Sequence, residues 1–310
     1  MARAIAVRSG LSTFRSPLRR AEVIAGILFA LPAMIGVVVF QLGPLLVSLG
    51  LSFTNYDVFS PTSFTGLQNY VRMVEDPLVV KSAFNTLYVT LLGVPIGLIV
   101  ALGLALLLNA PIRGISLFRT VYYLPAITPT VAAAILWIWI LNSQWGLLNT
   151  VLNFFGIHGP LWLGSPYWSK PAIILMNAWG SGANMLIFLA GLKGIPDQLY
   201  EAAEIDGANW RTKFLHVTLP MLTPTIFFLL VLSTIGHLKI FTEAYVLTQG
   251  GPLDSTLFYV YHLFNNAFVY FKMGYAAAMA WVLFIIIMIL TLIQFRLANR
   301  WVYYEAGEAQ

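Results

Sequence analysis

The feature that most constrains this chain is a series of six long apolar stretches with few charges in or between them. Each is about 20 residues or longer, which is the length that an α-helix needs to cross the hydrocarbon core of a bilayer. Of the 310 residues, 59% are hydrophobic and 9% are charged, whereas soluble domains carry about 25% charged residues. So few charges cannot cover a water-facing surface, and the sequence predicts an all-α, polytopic membrane protein. The stretches cover about 24–51, 83–108, 121–141, 173–192, 221–241 and 275–295.

The distribution of Lys and Arg predicts the orientation, because cytoplasmic loops are enriched in these residues. With the N-terminus inside, the outer segments hold Arg72, Lys81, Lys170, Lys239 and Lys272. The more numerous inner residues are Arg3, Arg8, Arg15, Arg19, Arg20, Arg113, Arg119, Lys193, Arg211, Lys213, Arg296 and Arg300. The first apolar run exceeds the 7–15 residues of a signal-peptide core, so we interpret it as a retained anchor. We expect a basic cytoplasmic segment over 1–23, a six-helix membrane domain over 24–298 and a cytoplasmic tail over 299–310.

The inner loop between the fourth and fifth stretches, about 194–220, stands apart from the rest of the chain. Pro196 suits a first helical turn, and the carboxylate of Asp197 complements the positive end of a helix dipole. The segment 199–205 predicts a short helix, and Gly207 is a suitable helix terminator.

A second short helix is predicted next, with its larger apolar side chains four and three residues apart: Trp210, Phe214 and Val217. We expect Pro220 to end it before the chain re-enters the membrane. This helix-turn-helix is either a surface elbow between two spans or a docking element for a soluble partner. For docking, the small Ala202 and Ala203 would allow close approach, and Glu201 and Asp206 would supply charged contacts.

Several short motifs resemble those of one transporter family. The loop contains Glu201-Ala202-Ala203, then Gly207, then Val217-Thr218-Leu219-Pro220. This arrangement resembles the EAA loop of permease subunits of binding-protein-dependent ABC importers, where an Ile usually stands in place of Val217. Other motifs are similar to those of the carbohydrate-uptake branch, which includes maltose and glycerol-3-phosphate permeases: Gly66-Leu67-Gln68-Asn69-Tyr70, Asn85-Thr86, Arg119-Thr120, Leu124-Pro125 and Thr248-Gln249-Gly250-Gly251-Pro252. The chain differs from the larger maltose-type subunit, which has extra N-terminal spans and a large outer domain.

The resemblance implies a type I ABC importer permease fold in a prokaryotic inner membrane. It implies a coupling helix that sits in a cleft of a separate ATPase dimer. It assigns this coupling role to Glu201, Ala202, Ala203, Asp206, Gly207, Leu219 and Pro220. It also implies a solute-binding protein that delivers a sugar-like solute, and a second permease subunit, identical or homologous. The Gln249–Pro252 turn would belong to an outer loop that meets the binding protein. A glycerol phosphate or related polyol phosphate is the alternative solute.

Polar residues inside apolar spans are costly and therefore mark candidate solute pathways. The fourth span carries one such strip and the fifth span another, and in each the residues lie three or four apart on one helix face. The strips are Asn177, Ser181 and Asn184 in the fourth span, and Ser233 and His237 in the fifth. Trp179 would add an aromatic face for a sugar ring. The resemblance also implies a pathway role, since matching positions line the sugar site of the maltose-type permease. Hydrogen bonding between helices is the alternative explanation for these polar groups.

Other functional classes have little support in the residues. No Gly-x-x-x-x-Gly-Lys-Ser/Thr loop is present, so we expect no ATPase site in this chain. There is no cysteine and the histidines lie far apart, so we expect no metal site and no cofactor. No basic and aromatic cluster indicates nucleic-acid binding. An ion-coupled secondary transporter is the alternative from another class, and its coupling group would have to be His237 or Lys239, because no carboxylate lies within a span.

Overall fold

A computed structural model describes the backbone of residues 17–303 and the side chains of residues 21–303. The arginine side chains of the basic leader and residues 304–310 of the tail lie outside the described residues. Within the described part, the chain is helical, and its extended pairing is confined to one isolated bridge between Thr54 and Phe64. The predicted all-α class is confirmed.

The α-helices follow one another along the chain with short connections. They are α1 (Pro17–Val37), α2 (Gly43–Ser52), α3 (Gln68–Glu75), α4 (Pro77–Leu108), α5 (Ile115–Ile127), α6 (Thr130–Ile140), α7 (Leu147–Phe154), α8 (Ser169–Trp179), α9 (Gly182–Lys193), α10 (Asp197–Ile205), α11 (Trp210–Lys213), α12 (Leu219–Leu238), α13 (Tyr259–Phe264) and α14 (Met273–Ala298). Wider π-helical turns cover Val38–Leu42, Phe214–Thr218, Ala244–Thr248 and Asn265–Val269.

Four continuous helical runs are long and apolar enough to cross a membrane: Ala21–Ser52, Pro77–Leu108, Trp210–Leu238 and Met273–Ala298. Two further spans are bent helix pairs, α5 with α6 and α8 with α9. If each bent pair counts as one span, the total within the described residues is six. This agrees with the six spans that hydropathy predicts.

The predicted third span, about 121–141, is wrong as a single straight helix. Its two halves, α5 and α6, meet at 100°. The break lies at Thr128, whose φ of −72° and ψ of 129° are extended. Thr128 precedes Pro129, and the ring of a proline disfavours helical geometry in the residue before it. The sharp turn therefore has a local cause in the sequence.

The predicted fourth span is also interrupted, with 47° between α8 and α9. The break lies at Gly180 and Ser181, between the end of α8 and the start of α9. Just beyond it, a Cβ on Gly182 would collide with the carbonyl oxygen of Tyr122 in α5. The absence of a side chain thus lets the two bent spans cross in close contact.

Pro220 does not end the second helix of the inner loop, contrary to the sequence prediction. One helical run continues from Trp210 to Leu238. Pro220 lies in the first turn of α12, directly after the π-helical turn Phe214–Thr218. The wider turn changes the backbone hydrogen-bond register there. This accommodates Pro220, which has no amide hydrogen to donate.

The long helix α4 forms the centre of the bundle and packs against α8, α9 and α12. It begins where the Asp76 side chain accepts a hydrogen bond from the Leu78 amide at 2.9 Å, with Pro77 in the first turn. Small buried residues, including Ala101 and Ala105, allow the neighbouring helices to approach it. The first span lies at the periphery, and its side chains from Ala21 to Leu51 are exposed or half-buried within this chain.

Candidate functional site

The first candidate site is the inner loop, which begins with the exposed helix α10. Asp197 lies in its first turn, as predicted. At its other end, the Gly207 amide donates to the Glu204 carbonyl at 3.0 Å, and the Ala208 amide donates to the Ala203 carbonyl at 2.8 Å. Gly207 has a φ of +77°, so this end is a Schellman cap that favours glycine. The predicted terminator role of Gly207 is therefore confirmed.

Two side-chain contacts fix the turn between α10 and α11. Lys213 Nζ donates to Glu204 Oε1 at 2.6 Å. This hydrogen bond, and then the positive charge of Lys213, hold the pKa of the Glu204 carboxyl below its usual value. The Asn209 side chain caps α11 by accepting from the Thr212 amide at 3.0 Å. Contacts between residues of the loop therefore help to hold the turn.

The predicted coupling residues form a surface on this loop. Glu201, Ala202, Asp206 and Gly207 are exposed, and Ala203 is half-buried. Next to them, Ile205 is 87% exposed and Trp210 is 71% exposed. Leu219 and Pro220 are half-buried where α12 begins. Apolar side chains this open to solvent, next to small residues and carboxylates, are typical of a surface that binds another protein.

The second candidate site is a cavity where three helix interruptions meet. We call it the bend cavity: two adjoining pockets of about 240 Å³ and 210 Å³ that share Thr130, Asn177 and Glu243. The α5–α6 bend, the end of α8 and the end of α12 all contribute to its walls. Irregular backbone at membrane depth is tolerated where it lines a cavity or is buried in protein. The bends therefore create the polar interior that straight spans would not.

Two of the five predicted pathway residues line the bend cavity, namely Asn177 and His237. Ser181 is buried, with 6% of its surface exposed. The Asn184 amide donates to Ser233 Oγ at 3.4 Å, which links α9 to α12. The pathway role of all five remains a prediction. The contact between Asn184 and Ser233 is of the kind that the helix-bonding alternative describes.

The His237 ring lies deep in the contact between α12 and α4. Its Nδ1 is 2.9 Å from the Ser233 carbonyl oxygen. Its Nε2 is buried without a hydrogen-bond partner among the described residues, and a Cβ on Gly93 would lie 2.9 Å from it. Gly93 therefore provides the space that the imidazole occupies.

Sequence analysis did not connect Thr130 or Glu243 with a solute pathway, and it named Lys239 only as a coupling group of the alternative secondary transporter. Thr130 follows the break of the third span, and Lys239 and Glu243 follow α12. Glu243 is the notable omission, because the search for carboxylates was limited to the apolar stretches and Glu243 lies just beyond one. The sequence did contain a signal for Glu243, namely a carboxylate directly after an apolar run.

The loop that follows α12 is fixed to the bundle by residues of α4. Asn85 is buried, and its amide donates to the carbonyl oxygens of Asp254 at 2.8 Å and Leu257 at 3.1 Å. Lys81 Nζ lies 3.0 Å from Asp254 Oδ2, and Thr86 Oγ1 accepts from the amide of Tyr259 at 2.9 Å. The Asn85-Thr86 motif thus holds the loop in place. The contact of this loop with a binding protein remains a prediction.

Comparison with known proteins supplies the family. Residues 93–303 match the family described as binding-protein-dependent transport system inner membrane component. The probable ABC transporter permease protein YesP of Bacillus subtilis is 44% identical over 294 residues, covering 93% of this chain and 95% of the relative. The lactose transport system permease protein LacF of Rhizobium radiobacter is 38% identical over 296 residues, covering 93% and 98% of the two chains.

A solved structure shares the fold. A chain of a bacterial alginate ABC transporter, crystallised with an alginate-pentasaccharide-bound periplasmic protein, superimposes with a TM-score of 0.79 at 24% identity. The superposition covers 91% of this chain and 96% of the other. The fold is thus a known one, and the family match and the relatives show that this chain belongs to the family of binding-protein-dependent transport system inner membrane components.

Proposed function

We propose that the chain is the transmembrane permease subunit of an ABC importer that carries a sugar or sugar-like solute and is driven by a separate ATPase. The observation that carries this proposal is the inner loop. Its first helix is exposed and capped at Gly207, and its second helix continues to the bend cavity as the run Trp210–Leu238. One element thus joins a protein-binding surface to a polar cavity, as coupled transport requires.

The ATPase contact is assigned to the face that carries Glu201, Ala202 and Ala203, together with Asp206 and Gly207. The alanines allow a partner surface to approach the helix closely, and the carboxylates offer charge-assisted contacts to basic residues. The half-buried Leu219 and Pro220 lie where the loop joins the span and would set the angle between them. Hydrolysis would take place in the partner, since this chain lacks a phosphate-binding loop.

The solute class is supported by the walls of the bend cavity. Trp179 is 40% exposed and offers an apolar ring face, while Asn177 and Thr130 offer hydrogen bonds to hydroxyl groups. Relatives of this chain carry names that specify lactose and arabinooligosaccharides. A carbohydrate fits both observations.

The family and the charge distribution support an assembly of several subunits. We place both termini in the cytoplasm, so that the inner loop faces the ATPase and the loop after α12 faces a solute-binding protein outside. A second permease subunit, identical or homologous, would complete the pathway. The basic segment 1–23, the membrane domain 24–298 and the tail 299–310 are the corresponding divisions of the chain.

The test is co-purification of the tagged full chain from the membrane of its own cell, with identification of the proteins that accompany it. An ATPase is expected with the wild type and should be lost or strongly depleted with Glu201→Lys. The matched control is Glu75→Lys, which makes the same charge reversal on the exposed face of α3 at the other membrane surface. It should retain the ATPase.

Two results would overturn the proposal. If no ATPase accompanies the wild-type chain, the ion-coupled secondary transporter becomes the better explanation. If Glu201→Lys retains as much ATPase as Glu75→Lys, the inner loop is only an elbow between two spans.

A further inference from the structure

The charges of the bend cavity are distributed unevenly between its two pockets. Lys239 and Glu243 both line the pocket of about 240 Å³. In the pocket of about 210 Å³, Glu243 is the charged residue, and the rest of the wall is uncharged. That wall includes the ring of Trp179, the amide of Asn177 and the hydroxyl group of Thr130. The ionisable group that a solute meets in this pocket is therefore the carboxyl of Glu243.

Glu243 forms no ion pair with a residue of the described part of the chain. The ion pairs among residues 21–303 join Lys81 to Asp254, Lys213 to Glu204, and His262 to Asp76. Lys239 lies in the same cavity wall but is not within 4.0 Å of the Glu243 carboxylate, since no such pair occurs in the described part of the chain. The carboxylate is thus available to a solute rather than engaged in an internal salt bridge.

A carboxylate in this setting selects solutes by charge. It accepts hydrogen bonds from two hydroxyl groups, which suits a sugar. It repels a phosphate, sulfonate or uronate group, and the repulsion is stronger in a cavity with apolar walls than in bulk water. A neighbouring aromatic ring, here that of Trp179, adds an apolar surface for the ring of a carbohydrate.

We propose that Glu243 is a specificity-determining residue that makes the 210 Å³ pocket of the bend cavity accept uncharged polyhydroxyl solutes and reject anionic ones. The inference rests on the proposed function, because it takes the bend cavity as the solute pathway. It also predicts that the glycerol phosphate that sequence analysis left as the alternative solute is not carried.

The absence of cysteine from the chain allows a test that does not require the identity of the solute. Ala126→Cys introduces one thiol into the wall of the 210 Å³ pocket. The probes are two methanethiosulfonate reagents of similar size, one with a trimethylammonium group and one with a sulfonate group. The measured quantity is the ratio of their reaction rates with the purified full complex, with and without Glu243→Gln.

Ser60→Cys on the outer surface is the matched control, because Ser60 is exposed and belongs to no part of the bend cavity. At Ala126→Cys, the ratio of the reaction rate of the cationic reagent to that of the anionic reagent should be about tenfold higher with Glu243 than with Glu243→Gln. Glu243→Asp should retain most of this preference. The ratio at Ser60→Cys should be the same in both backgrounds.

The proposal is overturned if the ratio of the two reaction rates at Ala126→Cys is the same with Glu243 as with Glu243→Gln. A thiol that reacts with neither reagent would also overturn it, since the pocket would then be closed to polar solutes. Failure of the proposed function is a separate outcome. It would appear as the absence of a co-purifying ATPase, and it would leave the charge preference of the pocket unchanged.

Discussion

Gly93→Ala is expected to destabilise the protein by displacing the His237 ring. A Cβ on Gly93 would lie 2.9 Å from Nε2 and 3.0 Å from Cδ2 of His237, so the ring must move. It cannot move freely, because its Nδ1 is held 2.9 Å from the Ser233 carbonyl oxygen. Adding a methyl group to a packed contact typically costs about 1–3 kcal/mol. Because alanine is also favoured over glycine in a helix by about 1 kcal/mol, we expect a net loss of up to about 2 kcal/mol, measured as a lower apparent Tm of the detergent-purified protein at a fixed scan rate.

Gly97→Ala is the matched control, one turn further along α4. Its Cβ would lie 3.6 Å from Ser181 Oγ, which is an ordinary contact distance. Because alanine is favoured over glycine in a helix by about 1 kcal/mol, this variant should be neutral or stabilising. The decisive measurement repeats Gly93→Ala in a His237→Ala background, where the loss should disappear. If Gly93→Ala destabilises equally in both backgrounds, or no more than Gly97→Ala, the account of this contact is wrong.

Three further predictions concern the inner loop, the bend cavity and pH. Gly207→Pro should abolish coupling and Gly207→Asn should largely preserve it, because asparagine tolerates a φ of +77° whereas proline fixes φ near −65° and removes the amide that donates to Glu204. Uptake and ATPase assays on the reconstituted complex check this, and full activity of the proline variant would contradict it. His237→Ala should alter solute affinity or transport before it alters folding, and a variant that lowers only thermal stability would favour a structural role. Burial lowers the pKa of His262 despite Asp76 at 3.6 Å, so its contribution to stability is complete above about pH 6.5 and is lost as the pH falls below that value. The apparent Tm should therefore decline less steeply toward pH 5 in His262→Gln than in the wild type, and equal slopes would refute this.

The number of spans and the two ends of α10 were predictable because both depend on local chemistry. Apolar length indicates a span wherever the chain crosses lipid. Gly207 ends α10 because a backbone with positive φ favours glycine. Asp197 lies at the start of the same helix for an equally local reason, the helix dipole.

The bends were not predicted because hydropathy measures the length of an apolar segment but not its direction. Thr128-Pro129 was a readable sign of the break between α5 and α6. The break at Gly180 had a weaker signal, since glycine is common inside membrane helices. The continuity of α12 with the loop was hidden by Pro220, which a π-helical turn accommodates.

The composition of the bend cavity depends on those bends, and this explains which of its residues were found. Asn177 and His237 lie within apolar spans, where a polar side chain is conspicuous. Glu243 lies on a stretch that the sequence shows only as the end of a span. It becomes part of the cavity wall because the ends of α8 and α12 meet at the α5–α6 bend.

The unbroken run from Trp210 to Leu238 has a geometric consequence for transport. Its 29 residues make a rod of about 43 Å at 1.5 Å per residue. If Trp210 were the fixed end, a tilt of about 10° would swing the opposite end, beside His237, by about 7 Å over that length. That displacement is comparable to the width of a hexose ring. A small rotation of a bound ATPase would therefore produce a displacement at the far end of the helix that is large enough to open or close a passage for one sugar unit.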